Sequence, residues 1–291
     1  ADIKKIETKI NDNIFLINPL YTGWVIDAIA THWKPVLGFR LLNNYYITRI
    51  NEMRFKAPGN RTPLFYMALI EKIFNPISLF HHKRIFRYLN ELDIEKVIDI
   101  GAHKGEFLEN MLKIEKVNSF YAFEPQKNIF KKLNEKFSKN EKITLFNFAM
   151  DKEITNKKLK INKLSMTSTL AEINEKSLYL KVKNFLTFSK SNFEDEYEIQ
   201  TNTVDKIFKN ISLQKALLKI DVEGFEMNVI EGSLMKLKEI SFVLLENQFG
   251  NHYKNNNFKD IINILSKQNF KICKKFIFPT LHYQDVLFKK I

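Results

Sequence analysis

The sequence predicts an α/β fold: a mostly parallel seven-stranded sheet covered by helices and closed by a terminal antiparallel hairpin, plus a small, mainly helical N-terminal appendage. Three observations carry that expectation. From His81 onward, segments with helical spacing of apolar residues alternate with short β-rich runs, the signature of parallel strands joined by covering helices. The run Val97-Ile98-Asp99-Ile100-Gly101 reads as a buried strand that ends in a glycine turn and opens into a helix. Two terminal strands, at 271–278 and 284–289, are separated by so short a segment around Pro279 that one must run antiparallel to the other.

Residues 1–80 differ in character from the rest. They hold both tryptophans, five of the seven prolines and four of the six arginines, and proline at that density disfavours a regular sheet or long helices. Short helices are expected around Trp24–Thr31 and Pro63–Phe74, and the main domain is expected to span 81–291. In order, the main domain reads as a helix at 83–92, a strand at 96–100, a helix at 105–114, a strand at 119–123 and a helix at 127–138. A strand at 143–148 then leads into a polar, partly β stretch from Asp151 to about Thr203. A short helix at 204–208, a strand at 216–220 and a helix at 225–236 follow. A strand at 241–246, a helix at 258–267 and the two terminal strands complete the chain.

Size and composition set limits. A chain of 291 residues accommodates one large α/β domain and an appendage. Hydrophobic residues at 45% and charged residues at 27% are ordinary for a globular protein and exclude wholesale disorder. A single cysteine, Cys273, excludes a disulfide framework or a Cys-based zinc site. It fits a reducing compartment, so a cytoplasmic location is expected, with the inner face of the membrane as a peripheral alternative. Residues 1–13 are charged throughout and carry no signal-peptide pattern. The apolar stretch 14–39 is interrupted by Asn18, Asp27, His32 and Lys34 and is not expected to span a membrane. The net charge of +13 invites a nucleic-acid reading. Only six of the 46 basic residues are arginine, however, and no recognisable binding module accompanies them. Solvated lysines and A/T-rich codon usage account for the charge, and no nucleic-acid partner is expected.

Three segments carry chemistry. In Val97–Phe107, Gly101 permits a tight turn and close approach of backbone to a ligand, and such strand-to-helix crevices are where open α/β sheets bind nucleotides. The spacing is Gly-x-x-x-Gly, and His103 stands where the dinucleotide fingerprint requires its second glycine, which counts against a nicotinamide cofactor. In Phe120–Pro125, Glu124 ends the next strand, where a carboxylate can accept hydrogen bonds from the vicinal hydroxyls of a ribose. In Leu217–Gly232, Lys219, Asp221, Glu223 and Glu226 cluster around a strand end, an expensive place for charge unless it is paired or used. Lys219 is expected to pair with Glu223 or Glu226, and Asp221 to face the crevice.

These pieces, in this order and spacing, resemble the FkbM-type methyltransferase family over roughly residues 81–291. Supporting pieces are Asn147-Phe148-Ala149, Ser168-Thr169-Leu170, Thr203-Val204-Asp205 and Val286-Leu287-Phe288. The resemblance implies a class I, Rossmann-like fold and S-adenosyl-L-methionine as methyl donor. It also implies, usually, O-methylation of a sugar, glycan or related small-molecule hydroxyl. It would place Asp99, Gly101, Ala102, His103 and Gly105 in the cofactor turn, Glu124 and Pro125 at the ribose, Ala149 beside the adenine, and Asp221 at the methyl end. At the position of His103, Asn is commoner in the family.

A hydroxyl nucleophile must lose its proton, and the candidate bases are Asp221, Glu223, Glu246, His103 and His252; Asp221 and Glu223 are favoured because they end the strand nearest the expected methyl position. A metal-assisted variant would have Asp221, Glu246 and Asn247 bind Mg²⁺. The alternatives to a small-molecule O-methyltransferase are a nucleic-acid methyltransferase and a cofactor-binding protein that has lost catalysis. In the appendage, Arg40, Arg49, Arg54 and Arg61 suit a phosphate or diphosphate. Trp24, Trp33, Tyr45, Tyr46 and Phe65 either pack it onto the main domain or touch sugar rings or a membrane surface. A lipid- or diphosphate-linked acceptor is thus one expectation for the partner. The oligomeric state is open.

Overall fold

A computed structural model of the chain describes residues 78–162, 170–171, 193–248, 258–279 and 283–291. The chain divides into two units after Ile73, and every described residue belongs to the second. The expectations for the appendage, including its arginines, aromatics and two short helices, lie outside the described residues except at 78–80, which open a helix.

That helix, α1 (78–91), precedes the alternating elements. They are β1 (Lys96–Ile100), α2 (Glu106–Met111), β2 (Ser119–Phe123), α3 (Lys127–Phe137), β3 (Ile143–Phe146), β4 (Ala149–Met150), β5 (Asn156–Asn162) and β6 (Phe193–Asn202). Then come α4 (Val204–Ile207), β7 (Ala216–Ile220), α5 (Glu226–Glu231), β8 (Phe242–Gln248), α6 (Phe258–Lys267), β9 (Phe270–Ile277) and β10 (Tyr283–Lys290). The main sheet has seven strands in the order β3-β2-β1-β7-β8-β10-β9. The first five are parallel, and β10 runs antiparallel to both β8 and β9. This is the predicted sheet, and its order reverses direction between β1 and β7, where α/β folds open a crevice at the carboxyl ends of the strands.

The sheet is covered on both faces, which is why its central strands are almost continuous apolar runs. On one face Val97, Leu217, Leu244 and Leu287 pack with Ile85 and Leu89 of α1, Met111 of α2 and Leu133 of α3. On the other, Ile98, Leu218, Val243 and Val286 pack with Val229 and Ile230 of α5 and with Ile261 and Leu265 of α6. Neighbouring residues of one strand therefore belong to different layers, as the period of two requires.

Several boundaries differ from the sequence expectation for local reasons. The third strand stops at Phe146, not 148, because the Asn147 side-chain amide donates to the carbonyls of Glu124 and Pro125 at 2.8 and 3.2 Å, turning the chain out of the ladder. The helix expected over 105–114 occupies only Glu106–Met111; Gly105 before it takes a left-handed conformation, φ 85°. The helix expected over 225–236 ends at Glu231, since Gly232 passes so close to the Asp151 carbonyl that a Cβ would come within 2.0 Å of its oxygen. The polar stretch after Asp151 supplies β5 and β6, which with β4 form a second, three-stranded sheet in the order β4-β6-β5, β5 antiparallel to β6.

Candidate active site

The turn after β1 is built by three left-handed residues, Gly101 (φ 85°), His103 (φ 50°) and Gly105 (φ 85°). The Gly101 and Ala102 amides both donate to the Phe123 carbonyl at 3.0 Å, tying the turn to the end of β2. At Gly101 a Cβ would lie 1.9 Å from the Asp221 carbonyl oxygen, so the approach of the β1 turn to the end of β7 demands glycine. Outside glycine, the left-handed region is entered most readily by Asn, Asp and His. His103 is therefore a conformational equivalent of the Asn more common at this position in the family it resembles. Its Nδ1 lies 3.4 Å from the Glu106 carboxylate, and its Nε2 is buried with no partner.

Glu124 ends β2 and is buried. Its Oε2 accepts the His103 amide at 3.0 Å and its Oε1 accepts the Gln126 amide at 2.8 Å. Burial pushes its carboxyl up and these two amides pull against that. Each oxygen keeps a lone pair with which it can accept a hydroxyl. Around it opens a cleft. One wall is apolar, made by Phe148, Ala149, Met150, Leu159 and Leu170. The opposite lip is Asp221, Val222, Glu223 and Phe225. In that lip Glu223 (φ 51°) and Gly224 (φ 92°) are consecutive left-handed residues, and the Gly224 amide donates to Glu226 Oε1 at 3.0 Å. A non-glycine residue held in this way is a cost commonly met at functional sites.

The predicted residues thus fall into two groups. Gly101, His103, Glu124, Pro125, Ala149, Asp221 and Glu223 line one cleft. Asp99, Ala102 and Gly105 stand behind it: Asp99 and Ala102 are buried, and Gly105 lies against the Phe137 ring, 2.2 Å from where a Cβ would be. His252 lies outside the described residues, as do Ser168 and Thr169.

The charged cluster is paired differently from the expectation. Lys219 does not reach Glu223 or Glu226; its Nζ is 3.0 Å from Asp99 Oδ1 and 3.3 Å from Asp221 Oδ2. The reason is strand parity and register. Asp99 and Lys219 are paired across β1 and β7, and Asp221 is two residues beyond Lys219 on the same face. Burial works against the charge on Lys219, but the two carboxylates outweigh it and raise its pKa.

The proposed Mg²⁺ trio does not converge. Glu246 and Asn247 are consecutive residues of β8 and point to opposite faces. Glu246 is paired with Asp285 of β10, whereas Asn247 is paired with Gln284. Among the described residues no group of three or more His, Cys, Asp or Glu is arranged to hold a metal ion.

Two site neighbours were missed at the sequence level. Asp285 of β10 sits beside Glu246, and its Oδ2 is 2.7 Å from Nε2 of the buried His81 on α1. Gln248 Nε2 donates to Glu223 Oε2 at 3.1 Å and to Glu246 Oε1 at 3.0 Å, linking the cleft lip to this pair. A local signal existed for Asp285: it is an acid two residues before Leu287, on the face where an apolar residue is expected.

The residues present fit an adenosine-type ligand. A glycine cradle that a Cβ would fill, a buried carboxylate at the second strand end and an apolar wall between them are the parts needed. Residues 99–272, more than half of the chain, match the methyltransferase FkbM domain. Among curated proteins no sequence matches. Solved structures share the general architecture at low similarity. Fibrillarin from Aeropyrum pernix with natively bound S-adenosyl-L-methionine is 9% identical, with 71% of this chain and 74% of that one covered and a TM-score of 0.41. The N-methyltransferase NodS from Bradyrhizobium japonicum is 10% identical, with 74% and 97% covered and a TM-score of 0.41. The fibrillarin pre-rRNA processing protein of Methanococcus jannaschii is 12% identical, with 68% and 67% covered and a TM-score of 0.40. The strand order and the domain match together lead to one conclusion: the chain belongs to the FkbM family of S-adenosylmethionine-dependent methyltransferases.

Proposed function

We propose that the protein methylates a hydroxyl of a sugar, glycan or similar polyhydroxylated small molecule. The observation that carries this reading is the carboxylate of Asp221. It stands at the lip of the cofactor cleft, its side chain 41% exposed, within reach of a ligand yet held by Lys219. S-adenosylmethionine, when bound, supplies an electrophilic methyl group on a sulfonium. Glu124 would hold the ribose diol, the Gly101–His103 turn would receive the adjoining part, and Phe148 and Ala149 would border the adenine. Asp221 and Glu223, side by side on the lip, would orient the acceptor hydroxyl and take up its proton as the new O–C bond forms. Carboxylates are also suited to holding the remaining hydroxyls of such an acceptor through hydrogen bonds. The cytoplasmic location, and the grip of residues 1–80 on a diphosphate- or lipid-linked acceptor, are parts of the same proposal and rest on the sequence.

The test has two arms. Calorimetric titration with S-adenosylhomocysteine is expected to give micromolar binding that Glu124→Ala abolishes; no binding to the wild type overturns the cofactor assignment. Transfer of labelled methyl from S-adenosylmethionine to a mixture of sugar nucleotides and total RNA is then followed. Label in an alkali-stable ether of the sugar fraction supports the reading, and label in RNA refutes it.

A further inference from the structure

On the face of the sheet covered by α1, the carboxyl-terminal ends of β1, β7 and β8 and the amino-terminal end of the antiparallel β10 carry a row of ionisable groups. Asp99 of β1 contacts Lys219 of β7, which contacts Asp221. Glu246 follows on β8, one residue beyond the last β7–β8 pair, and Asp285 is its cross-strand partner on β10. At the far end the Asp285 carboxylate meets the imidazole of His81, whose edge is held against the rings of Phe278 and Tyr283 at 5.0 and 5.6 Å. His82 lies beside it on α1, with ring centroids 6.2 Å apart. Gln248 joins Glu246 to Glu223 on the cleft lip.

Placing charges this close together in a largely buried setting, with Asp99 and His81 fully buried at its two ends, is costly unless they are used. Two atoms in it are buried without a partner, His81 Nδ1 and Asp99 Oδ2. The His81 ring is inaccessible to solvent, and its Nδ1 is a polar atom able to donate or accept one further hydrogen bond. His81 and Asp285 lie outside the segment 99–272 that matches the family.

We propose that this row, ending in the Asp285–His81 pair, is the proton reservoir of the methyl-transfer cycle. It takes up the proton released by the acceptor hydroxyl and surrenders it when the next positively charged methyl donor binds beside Asp221 and Glu223. The inference rests on the O-methylation reading above. The balance is simple: the acceptor O–H bond breaks as the O–C bond forms, the electron pair of the cleaved S–C bond stays on sulfur, and the proton stays on the row. The donor is a sulfonium cation and the product a neutral thioether, so the cleft loses one positive charge at the step that creates one proton. A row of shared carboxylate protons next to the sulfur position exchanges one for the other. The titration behaviour agrees in direction. Burial, with Asp221, Glu223 and Asp285 around it, pushes Glu246 well above the usual carboxylate range. Burial likewise pushes Asp285 up against the opposing pull of His81. Burial thus favours the protonated forms of both carboxyls, and a nearby cation opposes them.

The experiment is calorimetric titration of the full chain with S-adenosylmethionine and, separately, S-adenosylhomocysteine at one pH in buffers of different ionisation enthalpy. The two ligands differ by the sulfonium methyl and its charge. The wild type is expected to release more protons with S-adenosylmethionine, by on the order of half a proton per site. That difference should vanish in Asp285→Asn and in His81→Gln, while affinity for S-adenosylhomocysteine stays within about threefold. Glu246→Gln, which fixes the middle of the row as neutral, should reduce it as well and serves if either of the others fails to fold. Equal proton release by the two ligands in the wild type, or a difference that survives in the variants, overturns the proposal. Failure of both ligands to bind would instead strike the cofactor assignment on which it stands.

Discussion

Replacing Lys219 by methionine tests whether the charge row is held together as described. The Nζ lies 3.0 Å from Asp99 and 3.3 Å from Asp221, with side-chain exposures of 12% for Lys219, 0% for Asp99 and 41% for Asp221. At 3.0 Å two unit charges attract by about 5 kcal/mol at an effective dielectric constant of about 20, but desolvation of both groups offsets much of that. The measurable cost of Lys219→Met is the isolation of the Asp99 carboxylate, which is buried and has no other ion-pair partner among the described residues. Breaking one side of such a buried pair costs about 3–5 kcal/mol. Asp221, being solvated, adds little. Asp99→Asn removes the stranded charge, so the double variant should recover most of the loss and sit within about 1.5 kcal/mol of the wild type. Urea unfolding of all four proteins, followed by far-ultraviolet circular dichroism at pH 7.5, closes the cycle. A cost below about 1 kcal/mol for Lys219→Met, or a double variant no more stable than Lys219→Met alone, would refute the pairing as an energetic unit.

Two further outcomes are expected. Burial pushes the Glu226 carboxyl up to about 7 from its usual 4.5, against the pull of the Gly224 amide. The unfolded chain loses that proton near pH 4.5 and the folded chain keeps it until about 7, so this group's contribution to stability falls between those values. The fall amounts to about 3 kcal/mol and is complete above pH 7. Glu226→Gln should therefore gain on the wild type as pH rises from 5 to 8 in thermal unfolding, and parallel curves would contradict the assignment. At the cofactor turn, Gly101→Ala forces a Cβ to 1.9 Å from the Asp221 carbonyl oxygen in a left-handed residue. The conformation alone costs about 1–2 kcal/mol, and the overlap separates β1 from β7. Affinity for S-adenosylhomocysteine should drop by more than about tenfold; unchanged affinity would show that the turn is not the cradle.

Much of the cleft was legible in the sequence because its parts are local. Gly101, Glu124 and Asp221 each end a strand that declares itself by an apolar run, and the turn beyond each begins within a residue or two. The parity of those strands was equally available, yet the partner of Lys219 was misassigned. Glu223 and Glu226 are its neighbours in the chain, whereas Asp99 lies 120 residues away and is aligned by the β1–β7 register. The Mg²⁺ trio failed for the same reason. Glu246 and Asn247 are adjacent in sequence, and the pleat sends them to opposite faces.

The sequence by itself determined the layered α/β architecture, the antiparallel closing strands and the positions of the strand ends that line the cleft. Period, glycine placement and capping are properties of short segments. Only the tertiary structure decided what lies opposite the cofactor lip. The contact between His81 and Asp285 spans 204 positions and exists because β10 inserts between β8 and β9 while α1 folds over the same face. Side-chain chemistry across a sheet is set by strand order and register, which no single segment contains. The row from Asp99 to the Asp285–His81 pair was therefore visible only once β1, β7, β8 and β10 stood side by side.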